Sequence, residues 1–344
     1  DQESPHRVSP FCPLYKKCGG CNMQHIENSF QTKLRSEILR DSFAREGITA
    51  PDIFVISDSA VSYRSRFQLH NGSLLQKASH LEIPVDFCPC AVPEINEYLS
   101  SVPQKNRPKG RIQLFASSKI VKSENNLNSI IIAQNQDENQ VQNPKNKLKN
   151  KKQIVKRFEG TQISKENTCT VKLCGKNIQF DVRGFFQSNL NVLEKVIPII
   201  TNAEGHHALD LYAGCGTFSS FLAQKFDFVT LVEHNKNAIV FAEQNLCALQ
   251  HESFGVSGAV WTKFHAESSQ NRHGKYDFAI VDPPRNGMEK EVRAWLASSG
   301  IERIHSLSCD SATHARDIAF LVKNGYISFR VLYSYFSTSQ FSTP

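Results

Sequence analysis

Apolar residues along this chain follow two different spacings, one typical of helices and one typical of strands. From Glu27 to Gly47, apolar side chains recur every three or four residues, which predicts an amphipathic helix that ends at the glycine. From Ala208 to Tyr333, short apolar runs alternate with helical patterns. This alternation predicts a doubly wound α/β domain, in which a parallel sheet carries helices on both faces.

A glycine-spaced turn follows the first strong apolar run of this half. The run Ala208–Leu211 leads into Tyr212, Gly214 and Gly216, and glycine at such a turn lets the backbone approach a ligand. A second run ends at Glu233 about twenty residues later, where a carboxylate can accept both hydroxyls of a ribose. The two features predict a nucleoside-type ligand above the carboxyl edge of the sheet.

Two later runs bring an acid and a thiol to the same edge. Asp282 ends the run that begins at Tyr276, and Cys309 follows the run Ile304–Leu307, just before a helical pattern. A thiol at this position faces the ligand crevice of a parallel sheet, and the helix N-terminus should lower its pKa and favour the thiolate. The alternative is a cysteine that only fills the end of the sheet.

The first half of the chain predicts a smaller α+β domain. The segment Ser62–His70 alternates as a strand does and combines two arginines with two aromatic rings. Such a combination suits single-stranded RNA, although an exposed strand of mixed charge has the same pattern. Residues 133–153 are rich in Asn, Gln and Lys, which predicts a flexible basic loop. We place the domain boundary near Phe180, between domains 1–180 and 181–344.

Composition and charge narrow the class of protein. The chain has 344 residues, of which 40% are hydrophobic, and it has no apolar run as long as about 18 residues, so we expect a cytoplasmic protein without a membrane span or leader. The formal net charge of +7 is unevenly spread, because Pro103 to Arg157 contains thirteen Lys or Arg and three acids. A basic stretch of this kind suits a polyanion such as RNA, or forms a solvated face.

Three of the ten cysteines form a cluster near the start of the chain. Cys12, Cys18 and Cys21 have the spacing C-x5-C-x2-C, and Cys88 offers a fourth thiol. Four thiolates in a reducing compartment can hold structural zinc or an iron–sulfur cluster. Zinc sites usually contain two CxxC pairs and this chain offers one, so the spacing favours iron–sulfur. The remaining cysteines are predicted to be buried or incidental thiols: Cys90, Cys169, Cys174, Cys215 and Cys247.

In this order, the motifs resemble the S-adenosylmethionine-dependent RNA 5-methyluridine methyltransferase family. Besides the cysteine cluster and the Tyr63–His70 segment, the resemblance rests on Phe185-Phe186-Gln187, Asp210–Phe218, Asp282-Pro283-Pro284-Arg285 and Ser308–Asp317. It covers nearly the whole chain. It implies a monomeric enzyme that methylates carbon 5 of a uridine in structured RNA, with ribosomal RNA favoured over transfer RNA. The short segment before Cys12 suggests the type without an N-terminal RNA-binding β-barrel.

The resemblance also implies roles for individual residues. Cys309 matches the nucleophile, and Cys12, Cys18, Cys21 and Cys88 match the ligands of a 4Fe–4S cluster. With the two glycines of the turn, the residues that match the methyl-donor pocket are Gln187, Tyr212, Gly214, Gly216, Thr217, Glu233, Glu267 and Asp282.

Two departures from the family pattern bear on activity. Asp310 and Ser311 follow the thiol where the family has Asn and Pro, and the extra acid should raise the pKa of the thiol. Phe341 and Thr343 stand where the family has a histidine and the glutamate that removes a proton. An alternative hypothesis is therefore a catalytically impaired, RNA-binding relative. A methyltransferase acting on nitrogen or on protein is a third hypothesis, but it would have an aromatic residue in place of Arg285.

Overall fold

The structure, a computed structural model, describes residues 2–122, 130–134, 167–327 and 331–334. The helices in these ranges are α1 (Asn28–Arg45), α2 (Pro93–Ser101), α3 (Leu190–Ile200), α4 (Thr217–Leu222), α5 (Lys236–Asn245), α6 (Gly258–Phe264), α7 (Ala266–His273), α8 (Lys290–Ser298) and α9 (Ser311–Lys323). The strands are β1 (Ile53–Ile56), β2 (Arg66–His70), β3 (Leu74–Leu75), β4 (Glu82–Ile83), β5 (Arg111–Ala116), β6 (Ile130–Gln134), β7 (Thr168–Leu173), β8 (Lys176–Asp181), β9 (Gly205–Leu211), β10 (Phe226–Val232), β11 (His251–Phe254), β12 (Phe278–Val281), β13 (Arg303–Ser306) and β14 (Val331–Ser334).

A five-stranded parallel sheet in the order β11-β10-β9-β12-β13 lies at the centre of the second half. Its strands are short and apolar, and all four residues of β12 are buried. Strands of this kind need a cover on both faces. The strand order reverses at β9, which opens a crevice at the carboxyl ends of β9 and its neighbours. The predicted doubly wound α/β domain is confirmed.

Alternate residues of each central strand enter two different apolar clusters. In β12, Phe278 and Ile280 pack with α3, α4 and α5, whereas Ala279 and Val281 pack with α6 and α8. This division follows from the two-residue period of a strand, which points successive side chains to opposite faces. The helices therefore fix the sheet from both sides and hold its carboxyl edge in place.

The first half contains the antiparallel sheet β2-β5-β6, with α2 packed on one face. The predicted strand from Ser62 to His70 forms only from Arg66 onward. Tyr63 and Phe67 are each 5% exposed and belong to the core. The interpretation that these two rings stack on RNA bases is therefore not supported.

The two halves of the chain pack against each other at several places in the described residues. The cluster on one face of the parallel sheet continues across Phe180 to Phe115 and Cys169. In addition, α1 packs on α9 through Phe43 and Ala315, so that the segments following these helices run side by side and β1 pairs with β14 in parallel. The sequence had predicted that residues 326–333 continue the central sheet, and this expectation is wrong because β14 pairs with β1 instead.

The predicted flexible loop and the predicted absence of a membrane span can be compared only with the described residues. Ala133 and Gln134, at the start of the predicted flexible loop, belong to β6, and residues 135–153 lie outside the described residues. Among the helices that the structure describes, none is long and apolar enough to cross a bilayer.

Arg107 belongs to the basic stretch but is fully buried. Its guanidinium donates to the carbonyl oxygens of Gly72 at 2.7 Å and Val85 at 2.8 Å, and also to those of Val102 and Leu99. Gly72 packs directly against it, since a Cβ there would lie 2.9 Å from the Arg107 Cβ. The charge of Arg107 therefore serves the fold of the first half and is not available to a polyanion.

We predict that Arg107→Met lowers the free energy of unfolding by about 3–5 kcal/mol, because several buried carbonyl oxygens lose their donor. Urea unfolding followed by circular dichroism measures the change. The matched variant Lys105→Met, at an exposed position of the same turn, should change it by less than about 0.5 kcal/mol. Equal effects of the two variants would contradict the prediction.

Candidate active site

The turn after β9 has the backbone strain expected of a ligand site. Tyr212, Gly214 and Gly216 all have positive φ, at 64°, 56° and 74°. A Cβ at Gly216 would lie 2.9 Å from Leu246 Cδ1, whereas a Cβ at Gly214 would meet nothing within 4 Å. Gly216 therefore permits close packing at the end of α5, and Gly214 faces open space at the carboxyl edge.

Three carboxylates, those of Asp210, Glu233 and Asp282, converge on this turn. Asp210 is fully buried, and its Oδ2 accepts from the Ser219 amide at 3.0 Å. Glu233 Oε2 accepts from the Gly214 amide at 2.9 Å, and its Oε1 accepts from the Asn235 amide at 2.6 Å. Within the described part of the chain, Asp210 Oδ1 is buried without a hydrogen-bond partner.

Burial makes two of these acids, Asp210 and Asp282, reluctant to ionise. The pKa of Asp210 is raised to about 7, mainly by burial and in part by the charges of Asp282 and Glu233. Burial likewise raises the pKa of Asp282 to about 7, again with a contribution from Glu233. The site is thus an acidic cradle formed by Asp210, Glu233 and Asp282, and it suits a cationic ligand that also carries hydroxyl donors.

Tyr212 is held by a residue that the sequence did not indicate. Its hydroxyl donates to a carboxylate oxygen of Glu289, and the Glu289 amide donates back to the Tyr212 hydroxyl at 3.3 Å. The Glu289 carboxylate also lies close to Gly258, at the start of α6. Glu289 therefore joins three loops at the carboxyl edge. Its only sequence signal was its place shortly after Asp282.

Cys309 lies on the exposed loop between β13 and α9. The Asp310 side chain caps α9 by accepting from the Thr313 amide at 2.9 Å. Partial burial raises the pKa of the Cys309 thiol, Arg285 lowers it, and Asp282 and Asp310 raise it. The effect of Asp310 has the predicted sign. The expected net lowering of the pKa by the helix end is wrong, because burial outweighs it.

The loop after β12 is fastened to the helix that follows Cys309. Asp317 is 1% exposed, and its Oδ2 accepts from the Met288 amide at 2.7 Å. Arg316 donates to the Asn286 carbonyl at 3.0 Å, and the Thr313 hydroxyl donates to the Arg285 carbonyl at 3.0 Å. These bonds hold Arg285 and Asp282 beside the thiol.

The structure therefore brings together most of the predicted pocket: Tyr212, Gly214, Gly216, Thr217, Glu233, Asp282 and Cys309 all follow carboxyl ends of central strands. Gln187 lies on the loop before α3, where the neighbouring Ser188 carbonyl accepts from the Ser65 amide at 2.8 Å. Glu267 is exposed on α7, which faces the sheet through Ser269. Both assignments stay predictions, and the place of Glu267 gives its assignment no support. Phe341 and Thr343 lie outside the described residues.

The predicted metal ligands lie near one another. Cys12, Cys18 and Cys88 each interact electrostatically with Cys21. Backbone amides face the sulfurs: the Gly20 amide donates to Cys18 Sγ at 3.3 Å, and amides of Leu14 and Tyr15 lower the pKa of Cys12 against the burial that raises it. In the ranges that the structure describes, however, no three His, Cys or acidic side chains are arranged to hold a metal ion.

Two further residues belong to this cysteine site. Cys90 is buried, as predicted, but it is not incidental, because its Sγ lies 3.7 Å from Cys21 Sγ. Arg64 donates to the Gly20 carbonyl at 3.4 Å, and its charge lowers the pKa of Cys18, Cys21 and Cys88. Arg64, which the sequence grouped with RNA-binding residues, thus faces the thiols.

Comparison with known proteins identifies the family of the chain. The family profile tRNA (Uracil-5-)-methyltransferase matches residues 28–342. The chain therefore belongs to this family of S-adenosylmethionine-dependent RNA methyltransferases. An uncharacterized RNA methyltransferase of Treponema denticola is 32% identical over 94% of this chain and 79% of its own length.

Two other proteins are similar at lower identity. The 23S rRNA (uracil(1939)-C(5))-methyltransferase RlmD of Acinetobacter baylyi is 26% identical over 95% of this chain and 76% of its own length. The crystal structure of Pyrococcus abyssi tRNA (uracil-54, C5)-methyltransferase, in complex with S-adenosyl-L-homocysteine, is 19% identical. It superimposes with a TM-score of 0.62 over 93% of this chain and 80% of that chain. The likeness confirms the α/β methyltransferase fold.

The raised pKa of Asp210 predicts a pH-dependent penalty in the ligand-free protein. Folding raises this pKa from 3.8 to about 7, so the stability that Asp210 contributes in its protonated form is lost as pH rises through that window. Asp210→Asn should therefore stabilise the protein by about 2–4 kcal/mol near pH 8 and by less near pH 5.

Urea unfolding at the two pH values measures this difference. Asp52→Asn, the same substitution at an exposed position, should shift both values equally. A larger gain for Asp210→Asn at the lower pH would contradict the assigned direction of the pKa shift.

Proposed function

We propose that the protein transfers the methyl group of S-adenosylmethionine to carbon 5 of a uridine in RNA, with Cys309 as the nucleophile. The observation that carries the proposal is the placement of Cys309 beside Asp282 and Arg285, at the carboxyl edge that also holds the acidic cradle. A thiol and a nucleoside-type pocket thus share one crevice, which is what transfer between two bound substrates requires.

The methyl donor fits this cradle on chemical grounds. Its sulfonium and amino groups are cationic, and Asp210, Glu233 and Asp282 supply negative charge that lacks a buried cation among the described contacts. Glu233 is the proposed partner of the ribose hydroxyls, and Gly214 leaves room for close approach. Tyr212, Gly216 and Thr217 complete the turn that receives the donor. Gln187 and Glu267 carry only the family assignment.

The thiol makes carbon 5 reactive. Uracil carbon 5 is a poor nucleophile, so the Cys309 thiolate adds at carbon 6 and forms an enolate. Carbon 5 then takes the methyl group from the sulfonium. A base removes the proton from carbon 5, and the thiolate leaves as the double bond re-forms. Arg285 stabilises the thiolate, since its charge lowers the pKa of Cys309.

The RNA must present an unstacked uridine to this thiol. A base inside a helix cannot reach an active-site side chain, so the target belongs to a loop or is flipped out of its stack. The RlmD relative is named for a uridine of 23S ribosomal RNA, and we propose ribosomal RNA as the substrate over transfer RNA. Arg111, which is exposed on β5 and donates to Gln68 of β2, lies in the half proposed to bind RNA.

Cys309→Ala should abolish transfer of labelled methyl groups to ribosomal RNA, because no adduct forms at carbon 6. The control Cys247→Ala removes another exposed thiol and should leave transfer unchanged. RNA that contains 5-fluorouridine should form a denaturation-resistant complex with the wild type only, since fluorine blocks release at carbon 5. Methyl transfer by Cys309→Ala would overturn the assignment of the nucleophile.

A second candidate function is RNA binding with impaired turnover. It is favoured by Thr343, which stands where the family has its proton-removing glutamate. In this case, ordinary uridine RNA and the methyl donor would leave a methylated adduct on Cys309. Multiple turnovers per protein molecule would exclude this candidate.

We further propose that Cys12, Cys18, Cys21 and Cys88 hold a 4Fe–4S cluster. The chemistry of the site supports the proposal: four thiols lie within electrostatic reach of one another, amide groups face the sulfurs, and Arg64 offsets negative charge. An iron–sulfur cluster held by four thiolates carries negative charge, which such donors stabilise. A cluster bound there would link the loop of residues 12–21 to Cys88.

Protein purified without air should contain about four irons per chain and absorb broadly in the violet. Cys18→Ser should remove most of this iron, because one of four ligands is lost. Cys174→Ser replaces an exposed cysteine outside the site and should keep it. One zinc and no iron in the wild type would contradict the cluster, although it would leave the methyltransferase proposal intact.

A further inference from the structure

The cysteine site contains one thiol more than a cluster with four protein ligands requires. Cys90 is 3% exposed, and its Sγ lies 3.7 Å from the Sγ of Cys21. Cys21 itself is partly exposed. The backbone holds Cys90 firmly, since its carbonyl accepts from the amides of Tyr63 at 3.1 Å and Arg64 at 2.8 Å. Two sulfurs in van der Waals contact, one reachable and one buried, have the arrangement of an attacking and a resolving thiol.

We propose that Cys90 is the redox partner of Cys21: in the metal-free protein the two form a reversible disulfide that removes Cys21 from the metal-ligand set. The disulfide itself does not depend on which metal the site binds, whereas its effect on loading rests on the proposed cluster. The site would then have two exclusive states, a disulfide without metal and free thiolates with metal.

The oxidant is a small-molecule disulfide such as glutathione disulfide. The Cys21 thiolate attacks one of its sulfurs, which forms a mixed disulfide and releases one glutathione thiolate. The Cys90 thiol then attacks the Cys21 sulfur, and the second glutathione leaves with the proton of Cys90. Two electrons pass from the two protein thiols to the oxidant, and one S–S bond replaces another. A dithiol reductant reverses both steps.

Other pairings within the site are less favourable. Cys18 Sγ is directed toward its own turn by the Gly20 amide, which donates to it at 3.3 Å. The Cys90 thiol also hydrogen-bonds Cys88, but only Pro89 separates these two cysteines, and its fixed φ limits closure of so small a disulfide ring. The Cys21–Cys90 pair needs only a short approach of two sulfurs that already touch.

The test uses the full chain, stripped of metal under reducing conditions and then treated with glutathione disulfide. Peptide mapping should join Cys21 to Cys90 with the loss of two hydrogens, whatever glutathione the exposed Cys174, Cys247 and Cys309 take up. Cys90→Ala should instead keep one glutathione on Cys21, because the resolving thiol is absent. Cys169→Ala, the same substitution at a buried thiol of β7, should behave as the wild type.

Loading with iron and sulfide completes the test. The oxidised wild type should take up less than about one-tenth of the iron of the reduced protein, and a dithiol should restore uptake. Protein loaded beforehand should resist the oxidant. A glutathione adduct that persists on wild-type Cys21, or a mapped bond to Cys18 or Cys88, would overturn the inference. A Cys21–Cys90 disulfide in a protein that binds no iron would sustain the pair and instead contradict the cluster.

Discussion

The candidate active site depends on one buried carboxylate, that of Asp317, which binds the loops behind it. Asp317 accepts from the Met288 amide and pairs with Arg293 and Arg316, so it joins the loop after β12 to α8 and α9. Gly287 makes this contact possible, because a Cβ there would lie 2.5 Å from the Asp317 carboxylate. A buried charge of this kind stabilises a fold only when every neighbour is in place. The distance between Cys309 and the acids of the cradle is thus set by the packing of α8 and α9 behind them.

The charges of the cradle, unlike that of Asp317, are not balanced by neighbouring arginines among the described contacts. Burial raises the pKa of Asp210 and of Asp282, the nearby charge of Glu233 adds to both effects, and part of Asp210 is buried without a hydrogen-bond partner among the described residues. Electrostatic repulsion held in a rigid pocket is typical of sites whose ligand supplies the missing charge and donors. The two features are complementary. The contacts of Asp317 hold the loops of the site in place, so that the repulsion between the acids of the cradle does not push these loops apart.

The sequence predicted those site residues that directly follow an apolar strand pattern. Apolar runs located the central strands, and the residues that end them located the cradle and Cys309, because parallel strands share one carboxyl edge. Contacts between distant segments were beyond its reach. The hydrogen bond between Tyr212 and Glu289 joins residues that are 77 positions apart in the chain. A tyrosine or a glutamate in a sequence does not indicate that the other residue will be its partner. Likewise, the approach of Cys90 to Cys21 and the burial of Arg107 depend on packing that no spacing encodes.

The apolar cluster that crosses Phe180 bears on how this protein can be dissected. Phe180 stacks on Phe186 with ring centroids 3.8 Å apart, and Phe115 meets both rings edge-on. A cut after Phe180 would leave Phe115 and Phe180 on one piece and Phe186 on the other, and each piece would expose an apolar face to water. The apolar cluster on this face of the parallel sheet is therefore completed by residues of β5, β7 and β8, which precede the predicted boundary.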